Sequence, residues 1–336
     1  MKHAIFEKKN VLVVGGAGFV GSHLCDELVK TSKVICLDNF STGLERNIDH
    51  LLAQPDFVFL RHDMSEPIDL ETEPSLQKFK IQFQGIQEIY NLACPTSPKN
   101  FVKNRQATLL ANSFVVKNIV DLTRKYEAKF LHFSSSVVYG PRRDNDKIKE
   151  DDIGVVDFLS DRACYDEGKR FAETFVNTCR DLYNLDAKII RIFRTYGPRL
   201  PLNDNQMVPD FVSDALDGKD LTIFGDQNFS SSFCYVSDVV DAAIKIMETD
   251  LPGPYNIGSD MDIKISAVAE KIIKLTGSSS KIVYADSQFF MSELPLPDIS
   301  HATADLGWMP VVILDKGLEK TIDELRASKG LKGIGE

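Results

Sequence analysis

A tyrosine and a lysine one helical turn apart form the most chemically suggestive pair in this sequence. Tyr165 and Lys169 stand at positions i and i+4 of a helical stretch predicted over 165–183, so their side chains project from the same helix face. A phenol has an unperturbed pKa of about 10 and is a poor base at neutral pH, but a nearby ammonium favours the phenolate. The pair is suited to removing a proton from an alcohol while a hydride leaves the same carbon. The commonest alternative for this spacing is a solvated helix face.

A run of three serines follows a predicted strand nearer the N-terminus. The strand at 131–133 leads directly into Ser134, Ser135 and Ser136. Hydroxyls at the carboxyl end of a parallel strand lie where ligands bind in such sheets. Ser135 or Ser136 is therefore placed to hydrogen-bond the oxygen that is oxidised, whereas at least one of the three is expected only to satisfy turn amides.

Three glycines lie between the first predicted strand and the first predicted helix. Gly15, Gly18 and Gly21 permit a tight turn, close approach of the backbone to a pyrophosphate, and close packing of helix on strand. Asp38 stands at the end of the second predicted strand. An acid there accepts from ribose hydroxyls and repels a 2′-phosphate, so the loop predicts an NAD site rather than an NADP site. A glycine turn without a ligand is the alternative.

Short apolar strands alternate with helical stretches through the first half of the chain. This alternation predicts an α/β fold with a doubly wound parallel sheet of the Rossmann type. Strands are expected at 11–14, 34–37, 57–60, 88–92, 129–133 and 187–192, and helices at 22–30, 107–126 and 165–183.

Turn-rich segments replace the alternation after about residue 197. The apolar pattern of 236–248 is again typical of a helix that packs on a large sheet. We expect an NAD-binding domain over 1–196 that also includes about 235–260, and a smaller substrate-binding lobe formed by 197–234 and 261–330.

The composition excludes several classes of protein. The 336 residues are 43% hydrophobic and 26% charged, which is typical of a globular protein with a buried core. A formal net charge of −10 without basic–aromatic stripes excludes a nucleic-acid partner, and no apolar run reaches the roughly 20 residues of a membrane span. The first residues lack the apolar core of a signal peptide. Six cysteines without a CxxC pair predict reduced thiols, a cytoplasmic protein and no metal site.

Four segments resemble the extended short-chain dehydrogenase/reductase family that modifies nucleotide sugars. They are NLACPTSP at 91–98, CYDEGKR at 164–170, RIFRTYGPR at 191–199 and SFCYVSD at 232–238. Within that family they are most similar to UDP-glucuronate decarboxylases, and the resemblance covers nearly the whole chain. It implies a tightly held NAD, a substrate that is oxidised at C4 of its sugar, and a homodimer built on a helix bundle.

The resemblance also implies roles for individual residues. By position, Tyr165 is the base, Lys169 is its electrostatic partner, and Ser135 is the hydroxyl helper. The residues expected to hold NAD are Gly15, Gly18, Phe19, Val20, Gly21, Asp38, Asn39, Phe40, Ser41, Thr42, Gly43, Asp63, Met64, Leu92 and Ala93, together with Tyr165 and Lys169. The residues expected to contact the substrate, which the resemblance implies is a UDP-sugar, are Pro95, Ser136, Arg194 and Arg199.

Several positions depart from the family pattern. Val137 stands where decarboxylases and dehydratases carry a carboxylate, and an apolar side chain cannot move a proton. Two diphosphate-binding arginines are absent, one at Ser231 and one near 294–296. Arg194 replaces an asparagine of the family, and Phe101 replaces a tyrosine. Each lost arginine–phosphate contact costs about 1.5–3 kcal/mol. The candidates for replacement charge are Arg194, Arg199, Lys99, Lys103 and Arg105.

Three functions remain open. Decarboxylation of a nucleotide-linked glucuronate is the leading one, because C4 oxidation places a ketone β to the C5 carboxylate and CO2 then leaves an enolate behind. A 4-epimerase needs only oxidation, rotation of the ketose and re-reduction, and the serine run followed by Val137 favours it. The third is a non-catalytic NAD-binding protein with a degraded sugar site, against which the presence of both Tyr165 and Lys169 argues. We expect an intact nicotinamide half of the site and a rebuilt nucleotide-sugar half.

Overall fold

A parallel sheet of seven strands organises the part of the chain that the computed structural model describes, which is residues 8–96, 103–143, 146–202, 204–287 and 293–332. The strands are β1 (Asn10–Val14), β2 (Lys33–Asp38), β3 (Phe57–Arg61), β4 (Glu88–Asn91), β5 (Lys129–Ser135), β7 (Ala187–Ile192) and β12 (Tyr255–Ile257). Their order across the sheet is β12-β7-β5-β4-β1-β2-β3, and every neighbouring pair is parallel. The doubly wound α/β fold is confirmed.

Short strands pair into small sheets outside the large one. The parallel pairs are β6 (Lys147–Ile148) with β15 (Leu296–Pro297), β8 (Thr195–Tyr196) with β11 (Cys234–Tyr235), and β9 (Leu221–Phe224) with β14 (Ile282–Ala285). The antiparallel pair is β10 (Ser230–Ser231) with β13 (Ile263–Lys264).

Helices cover both faces of the large sheet. They are α1 (Phe19–Leu28), α2 (Ile81–Gln84), α3 (Arg105–Ala111), α4 (Phe114–Tyr126), α5 (Ala163–Tyr183), α6 (Met207–Leu216), α7 (Val236–Glu248), α8 (Ile265–Thr276), α9 (Ser300–Leu306) and α10 (Leu314–Lys332), with 3-10 helices at Glu45–Asn47, Asp49–Leu51, Pro74–Phe79 and Ser136–Tyr139. Helices α1, α7 and α9 pack on one face, and α4 and α5 pack on the other. None of the described helices is long and apolar enough to cross a membrane.

The sequence of β1 is apolar from Val11 to Val14 because both faces of the strand are buried. Val11 and Val13 join the core that contains α1 and α7, while Leu12 and Val14 join the core that contains α4 and α5. All four side chains are buried, because the strand is covered on both faces. A third core lies among α6, α8 and α10 in the smaller lobe.

The segment that follows residue 235 returns to the large sheet. Helix α7 packs against α1, and β12 pairs with β7 so that Tyr255 lies opposite Ile190. This is the arrangement that the apolar pattern of 236–248 predicted.

The single helix expected over 107–126 is broken at Asn112 and Ser113. The Asn112 side-chain amide donates to the carbonyl oxygen of Thr108 at 2.9 Å, and the Ser113 hydroxyl donates to that of Leu109 at 2.7 Å. Both side chains compete for carbonyl oxygens of the preceding turn, which interrupts the helix.

A buried ion pair holds α5 against the sheet. Arg191 on β7 donates to both carboxylate oxygens of Glu173 on α5, at 3.0 and 2.7 Å. The same guanidinium donates to the Tyr139 hydroxyl at 2.7 Å, and that hydroxyl donates to Asn256 Oδ1 on β12 at 2.7 Å. Removing one partner of such a pair costs about 3–5 kcal/mol, so the network holds α5 in one register.

Gly21→Ala is expected to destabilise the fold, because a Cβ on Gly21 would overlap the carbonyl oxygen of Gly15 and lie 2.9 Å from the Cα of Gly16. Overpacking against rigid backbone costs up to about 3 kcal/mol, which urea denaturation would measure. Gly277→Ala is the matched control. Gly277 has a φ of 69° with no atom within 4 Å of a Cβ, so only left-handed strain of about 1 kcal/mol is expected. Equal losses in the two variants would contradict the close packing of α1 on the loop.

Candidate active site

A cleft of about 850 Å³ opens at the carboxyl ends of the strands of the large sheet. Val14 at the end of β1 and Ser134 at the end of β5 line one side, and residues of α6 and β9 line the other. Ligands of open α/β sheets bind at this end of the strands. The cleft is therefore the candidate active site.

Tyr165, Lys169 and Ser135 line this cleft together. The Lys169 ammonium on α5 donates to the carbonyl oxygen of Phe133 on β5 at 2.7 Å. The Ser135 side chain hydrogen-bonds the Tyr165 phenol and accepts from the Val137 backbone N–H at 3.5 Å. The structure thus brings together the three side chains that the sequence predicted as catalytic.

Burial has the largest effect on the pKa values of these groups. It raises the pKa of the Tyr165 phenol, while the hydrogen bond with Ser135 lowers it. Burial also lowers the pKa of the Lys169 ammonium, which the charges of Cys94 and Glu173 oppose. Burial therefore has a larger effect on the pKa of this phenol than the hydrogen bond with Ser135. The phenol is protonated at neutral pH.

The glycine loop brings backbone to the surface of the cleft. Gly15 has a φ of 81°, and a Cβ there would lie 2.8 Å from the backbone nitrogen of Ala93, so the position requires glycine. Gly18 caps α1 at its N-terminus and has no side chain to bind the free N–H groups of the first turn. These groups and the positive end of the helix dipole are available to an anion in the cleft.

The Asp38 carboxylate at the end of β2 lies beside the glycine loop. Its Oδ2 accepts from the Ala17 N–H at 3.0 Å, and its Oδ1 accepts from the Phe40 N–H at 2.8 Å. Burial raises the pKa of Asp38, and these backbone hydrogen bonds oppose the rise. Each oxygen keeps a lone pair for a further donor such as a ribose hydroxyl.

Asn39, Asp63 and Met64 line the cleft near Asp38. The Asn39 side-chain amide donates to Asp63 Oδ2 at 3.0 Å and accepts from the Ser41 N–H at 2.9 Å. A backbone hydrogen bond from Ser65 lowers the pKa of Asp63. The wall is thus ordered by its own hydrogen bonds.

Most of the residues predicted to bind cofactor or substrate line the cleft. They are Gly15, Gly18, Phe19, Val20, Gly21, Asp38, Asn39, Ser41, Thr42, Asp63, Met64, Leu92, Ala93, Pro95, Ser135, Ser136, Tyr165, Lys169 and Arg194. Phe40 and Gly43 do not line the cleft, but both lie next to Asp38. Phe40 packs on Phe59 with ring centroids 4.9 Å apart, and a Cβ on Gly43 would lie 2.9 Å from both Asp38 oxygens.

Arg199, predicted as a substrate contact, is not among the described residues that line the cleft. Its Nη2 forms an ion pair with Asp26 on α1 at 2.7 Å, and this contact directs the side chain toward α1. Arg105 is likewise paired, with Asp161 at 2.5 Å. Lys103 is described and does not line the cleft, while Lys99 and Phe101 lie outside the described residues.

Sequence reasoning missed part of the lining. Arg162 lies three residues before Tyr165, so both side chains reach the cleft from the same end of α5; the spacing of about one helical turn was the available signal. The smaller lobe offered no comparable motif. Its unpredicted lining residues include Asp204, Asn205, Gln206, Met207, Asp210, Phe211, Asp214, Phe229 and Ile265.

Two of the departures from the family pattern meet beside the phenol. Val137 packs with Tyr165 in a small apolar cluster that Cys94 and Leu294 complete. Val137 replaces the carboxylate of the family, and Leu294 lies where the family has a basic run. The side chains at both positions are thus apolar where the family pattern has charges.

Two other departures are in direct contact. Arg194, at the turn between β7 and β8, donates from Nε to Ser231 Oγ at 3.0 Å. Its guanidinium carbon lies 5.9 Å from the centroid of the Phe233 ring. Burial lowers the pKa of Arg194 to about 10, and the positive charge of Arg162 adds to the lowering.

Neither this cleft nor the rest of the described chain contains a group of side chains that could hold a metal ion.

Comparison with known proteins places the chain in a family. Residues 11–258 match the NAD dependent epimerase/dehydratase family. The chain belongs to this family. A UDP-glucuronic acid decarboxylase 1 from Xenopus tropicalis is 36% identical over 321 residues, which are 95% of this chain and 73% of that relative. The chain is accordingly an NAD-dependent enzyme of the extended short-chain dehydrogenase/reductase type.

Solved structures share the whole architecture. A UDP-N-acetylglucosamine 4-epimerase from Methanobrevibacter ruminantium M1 superposes with a TM-score of 0.85 at 26% identity, covering 96% of this chain and 100% of that one. A UDP-glucuronic acid 4-epimerase from Bacillus cereus, in complex with UDP-glucuronic acid and NAD, gives 0.82 at 27% identity, covering 95% and 99%. Both of these structures are named as 4-epimerases that act on nucleotide sugars.

The cleft fits an NAD molecule by its own geometry. Side chains at Gly15 and Gly21 would collide with backbone, so the loop stays bare where a pyrophosphate approaches. Asp38 presents oxygens at the end of β2, and Lys169 lies across the cleft on α5.

Ser135→Ala is expected to move the rising limb of the pH–rate profile to higher pH. The hydrogen bond with Ser135 lowers the pKa of Tyr165, so its loss raises that pKa and a higher pH is needed to form the phenolate base. The measurement is kcat/KM against pH for both proteins, with Ser328→Ala, which removes a hydroxyl from α10 outside the cleft lining, as the control. A limb that stays in place would show that Ser135 does not act on the phenol.

Proposed function

We propose that this enzyme is a UDP-glucuronate decarboxylase, which oxidises C4 of the sugar and releases the C6 carboxylate as CO2. The observation that carries the proposal is the Tyr165 phenol bonded to Ser135, one turn from Lys169, in a cleft that fits a dinucleotide. The 36% identical relative named UDP-glucuronic acid decarboxylase supports the choice of reaction. The solved epimerase that holds UDP-glucuronic acid and NAD supports the choice of substrate.

The predicted cofactor residues would hold NAD along one side of the cleft. Gly15, Gly18 and Gly21 would face its pyrophosphate, Asp38 its adenosine ribose and Lys169 its nicotinamide ribose. When bound, NAD supplies the acceptor and later the donor of the C4 hydride. Its positively charged ring also favours the phenolate of Tyr165, which burial alone disfavours.

The reaction then follows from the sugar's own connectivity. Tyr165 takes the proton of the C4 hydroxyl as the hydride leaves C4, and the new ketone stands β to the carboxylate. The C5–C6 bond breaks, CO2 leaves, and the bonding electron pair passes to the C4 oxygen as an enolate, which the Tyr165 and Ser135 hydroxyls stabilise. C5 takes a proton from solvent. Tyr165 finally returns its proton to the C4 oxygen when the hydride returns to C4, so the cycle is redox-neutral.

Val137 is compatible with this sequence of steps. Cleavage of the C5–C6 bond needs no proton at position 137, because the electron pair moves to the ketone. Val137 packs with Leu294 beside the phenol, so neither side chain adds a charge there that would hold the carboxylate back. The missing carboxylate affects the later protonation of C5, which we expect to be the slow step.

A 4-epimerase is the second candidate. Val137 favours it, because epimerisation requires no acid at this position. Both solved structures described above are named 4-epimerases. The two reactions differ in the release of CO2. A non-catalytic NAD-binding protein is the third candidate, and the intact contacts of Tyr165 and Lys169 argue against it.

Tyr165→Phe is expected to lower kcat by about 100- to 10,000-fold, because the base of the C4 oxidation is lost. The assay follows CO2 release from carboxyl-labelled UDP-glucuronate and identifies the nucleotide product by NMR. Binding of NAD, measured by calorimetry, should survive in the variant. A 4-epimerised product without CO2 from the unsubstituted protein would favour the second candidate, and unchanged turnover in the variant would remove Tyr165 from the mechanism.

We also propose that the enzyme is a homodimer that forms through α4 and α5. These neighbouring helices leave large apolar side chains in solvent, with Phe114 55% exposed, Phe171 51% exposed and Leu182 69% exposed. An apolar surface of this kind on adjacent helices is typical of a subunit interface.

Phe171→Glu is expected to convert the dimer to a monomer, because it buries a charge in the proposed interface. Light scattering coupled to size-exclusion chromatography would measure the mass. Phe83→Glu is the control, since Phe83 lies on α2 and is 81% exposed. Dissociation by the control alone, or a monomeric parent protein, would contradict the proposed interface.

A cytoplasmic location is proposed as well. It is supported by the six cysteines, all of which are free thiols in the structure and five of which are buried.

A further inference from the structure

The charge of the cleft limits where an anionic substrate can be held. The described cations that line it are Arg162, Lys169 and Arg194, and Lys169 is already bound to the Phe133 carbonyl. The smaller lobe contributes carboxylates to the same lining, namely Asp204, Asp210 and Asp214. A substrate with phosphate or carboxylate oxygens is therefore attracted to the two arginines rather than to the part of the lining that carries these carboxylates.

Arg194 differs from the other little-exposed arginines in lacking a carboxylate partner. Four arginine side chains that are at most 20% exposed each form an ion pair, namely Arg142 with Asp262, Arg162 with Asp166, Arg191 with Glu173 and Arg199 with Asp26. Arg194 donates to the Ser231 hydroxyl, and no carboxylate of the described chain pairs with it. A partly buried guanidinium without a counter-ion is costly, and an incoming anion removes that cost.

A second guanidinium, that of Arg162, also lines the cleft. The charge of Arg162 acts on Arg194 and, together with burial, lowers its pKa. Arg162 also acts on the Tyr165 phenol. Both guanidiniums line the cleft, and Arg162 is already paired with Asp166, so Arg194 is the one whose charge an incoming oxyanion would neutralise.

We propose that Arg194, assisted by Arg162, is the principal oxyanion-binding residue for the substrate, and that Ser231 is the positioning residue that holds its guanidinium. The inference rests on the proposed function, since it takes the substrate to be a nucleotide sugar. The oxyanion has two possible sources in such a molecule, the diphosphate and the sugar carboxylate, and both suit a guanidinium fork.

The contact between Arg194 and Ser231 indicates that the guanidinium expected at position 231 is supplied from position 194 instead. Ser231 on β10 is 2% exposed and faces the guanidinium of Arg194. Because the two side chains touch at 3.0 Å and Ser231 is buried, we infer that the two positions together accommodate one guanidinium. The chain carries this guanidinium on the β7–β8 turn, at Arg194, and has the small hydroxyl of Ser231 in contact with it.

Calorimetry with NAD-loaded protein in the Tyr165→Phe background tests the proposal, because this background binds substrate without turnover. The probes are UDP, UDP-glucose and UDP-glucuronate. Arg194→Gln is expected to weaken UDP-glucuronate binding by roughly 10- to 100-fold, and Arg194→Lys by less. Equal weakening for all three probes identifies the diphosphate as the oxyanion, whereas weakening for UDP-glucuronate alone identifies the sugar carboxylate. Arg326→Gln, an exposed arginine on α10, is the matched control and should bind all three unchanged.

The role of Ser231 has its own readout. Ser231→Ala should weaken binding several-fold, and Ser231→Thr, which keeps the hydroxyl, should restore it. The double variant Arg194→Asn with Ser231→Arg should recover most of the affinity that Arg194→Asn loses, because the guanidinium then comes from the opposite side. The affinity of each variant for NAD reports whether that variant is folded. If Arg194→Gln no longer binds NAD, Arg194→Lys and the double variant provide the test instead.

The outcomes separate this proposal from the one on which it rests. Unchanged affinity of Arg194→Gln for all three probes, with the parent binding normally, overturns the role of Arg194 and leaves the proposed reaction standing. If Arg194→Asn with Ser231→Arg does not bind the probes more tightly than Arg194→Asn alone, the inference that the guanidinium has moved from position 231 to position 194 is overturned. A parent protein that binds none of the probes overturns the proposed function and this inference with it.

Discussion

The attachment of α5 to the large sheet is the constraint on which the site depends. The Lys169 ammonium is bound to the Phe133 carbonyl on β5, and Glu173, one turn further along α5, is bound to Arg191 on β7. Both contacts are charged and buried, so sliding or rotating the helix would leave a charge without its partner. This register places Tyr165 against Ser135, which lies two residues beyond Phe133 on the same strand. One helix–sheet contact thus orients the base, its ammonium and its hydroxyl partner together.

Burial at this contact has an electrostatic consequence. The same surroundings that hold Lys169 and Tyr165 in place raise the pKa of the phenol and lower that of the ammonium. The protein by itself therefore disfavours the phenolate, and under the proposed function the positive charge of a bound cofactor would favour it.

The departures from the family pattern are paired in space. Val137 and Leu294 lie in one apolar cluster, and Arg194 and Ser231 share a hydrogen bond. The first pair loses an acid and a base together, whereas the second leaves the Arg194 guanidinium with a hydroxyl partner and with no carboxylate partner in the described chain. A buried charge without a counter-ion is costly, so an anion that binds in the cleft stabilises Arg194. All four positions lie outside the group of residues predicted to hold NAD.

The sequence by itself determined the parts of this protein that depend on local spacing. The glycine loop, the acid at Asp38, the Tyr165–Lys169 pair and the strand–helix alternation are all encoded within short segments, where periodicity and residue type dictate the geometry. Only the tertiary structure decided which distant side chains meet. Arg199 pairs with Asp26 on α1, Arg194 donates to Ser231, and burial has the largest effect on the pKa of Tyr165. Contacts between residues far apart in the chain, and the desolvation that depends on everything packed around a group, leave no periodic trace in the sequence.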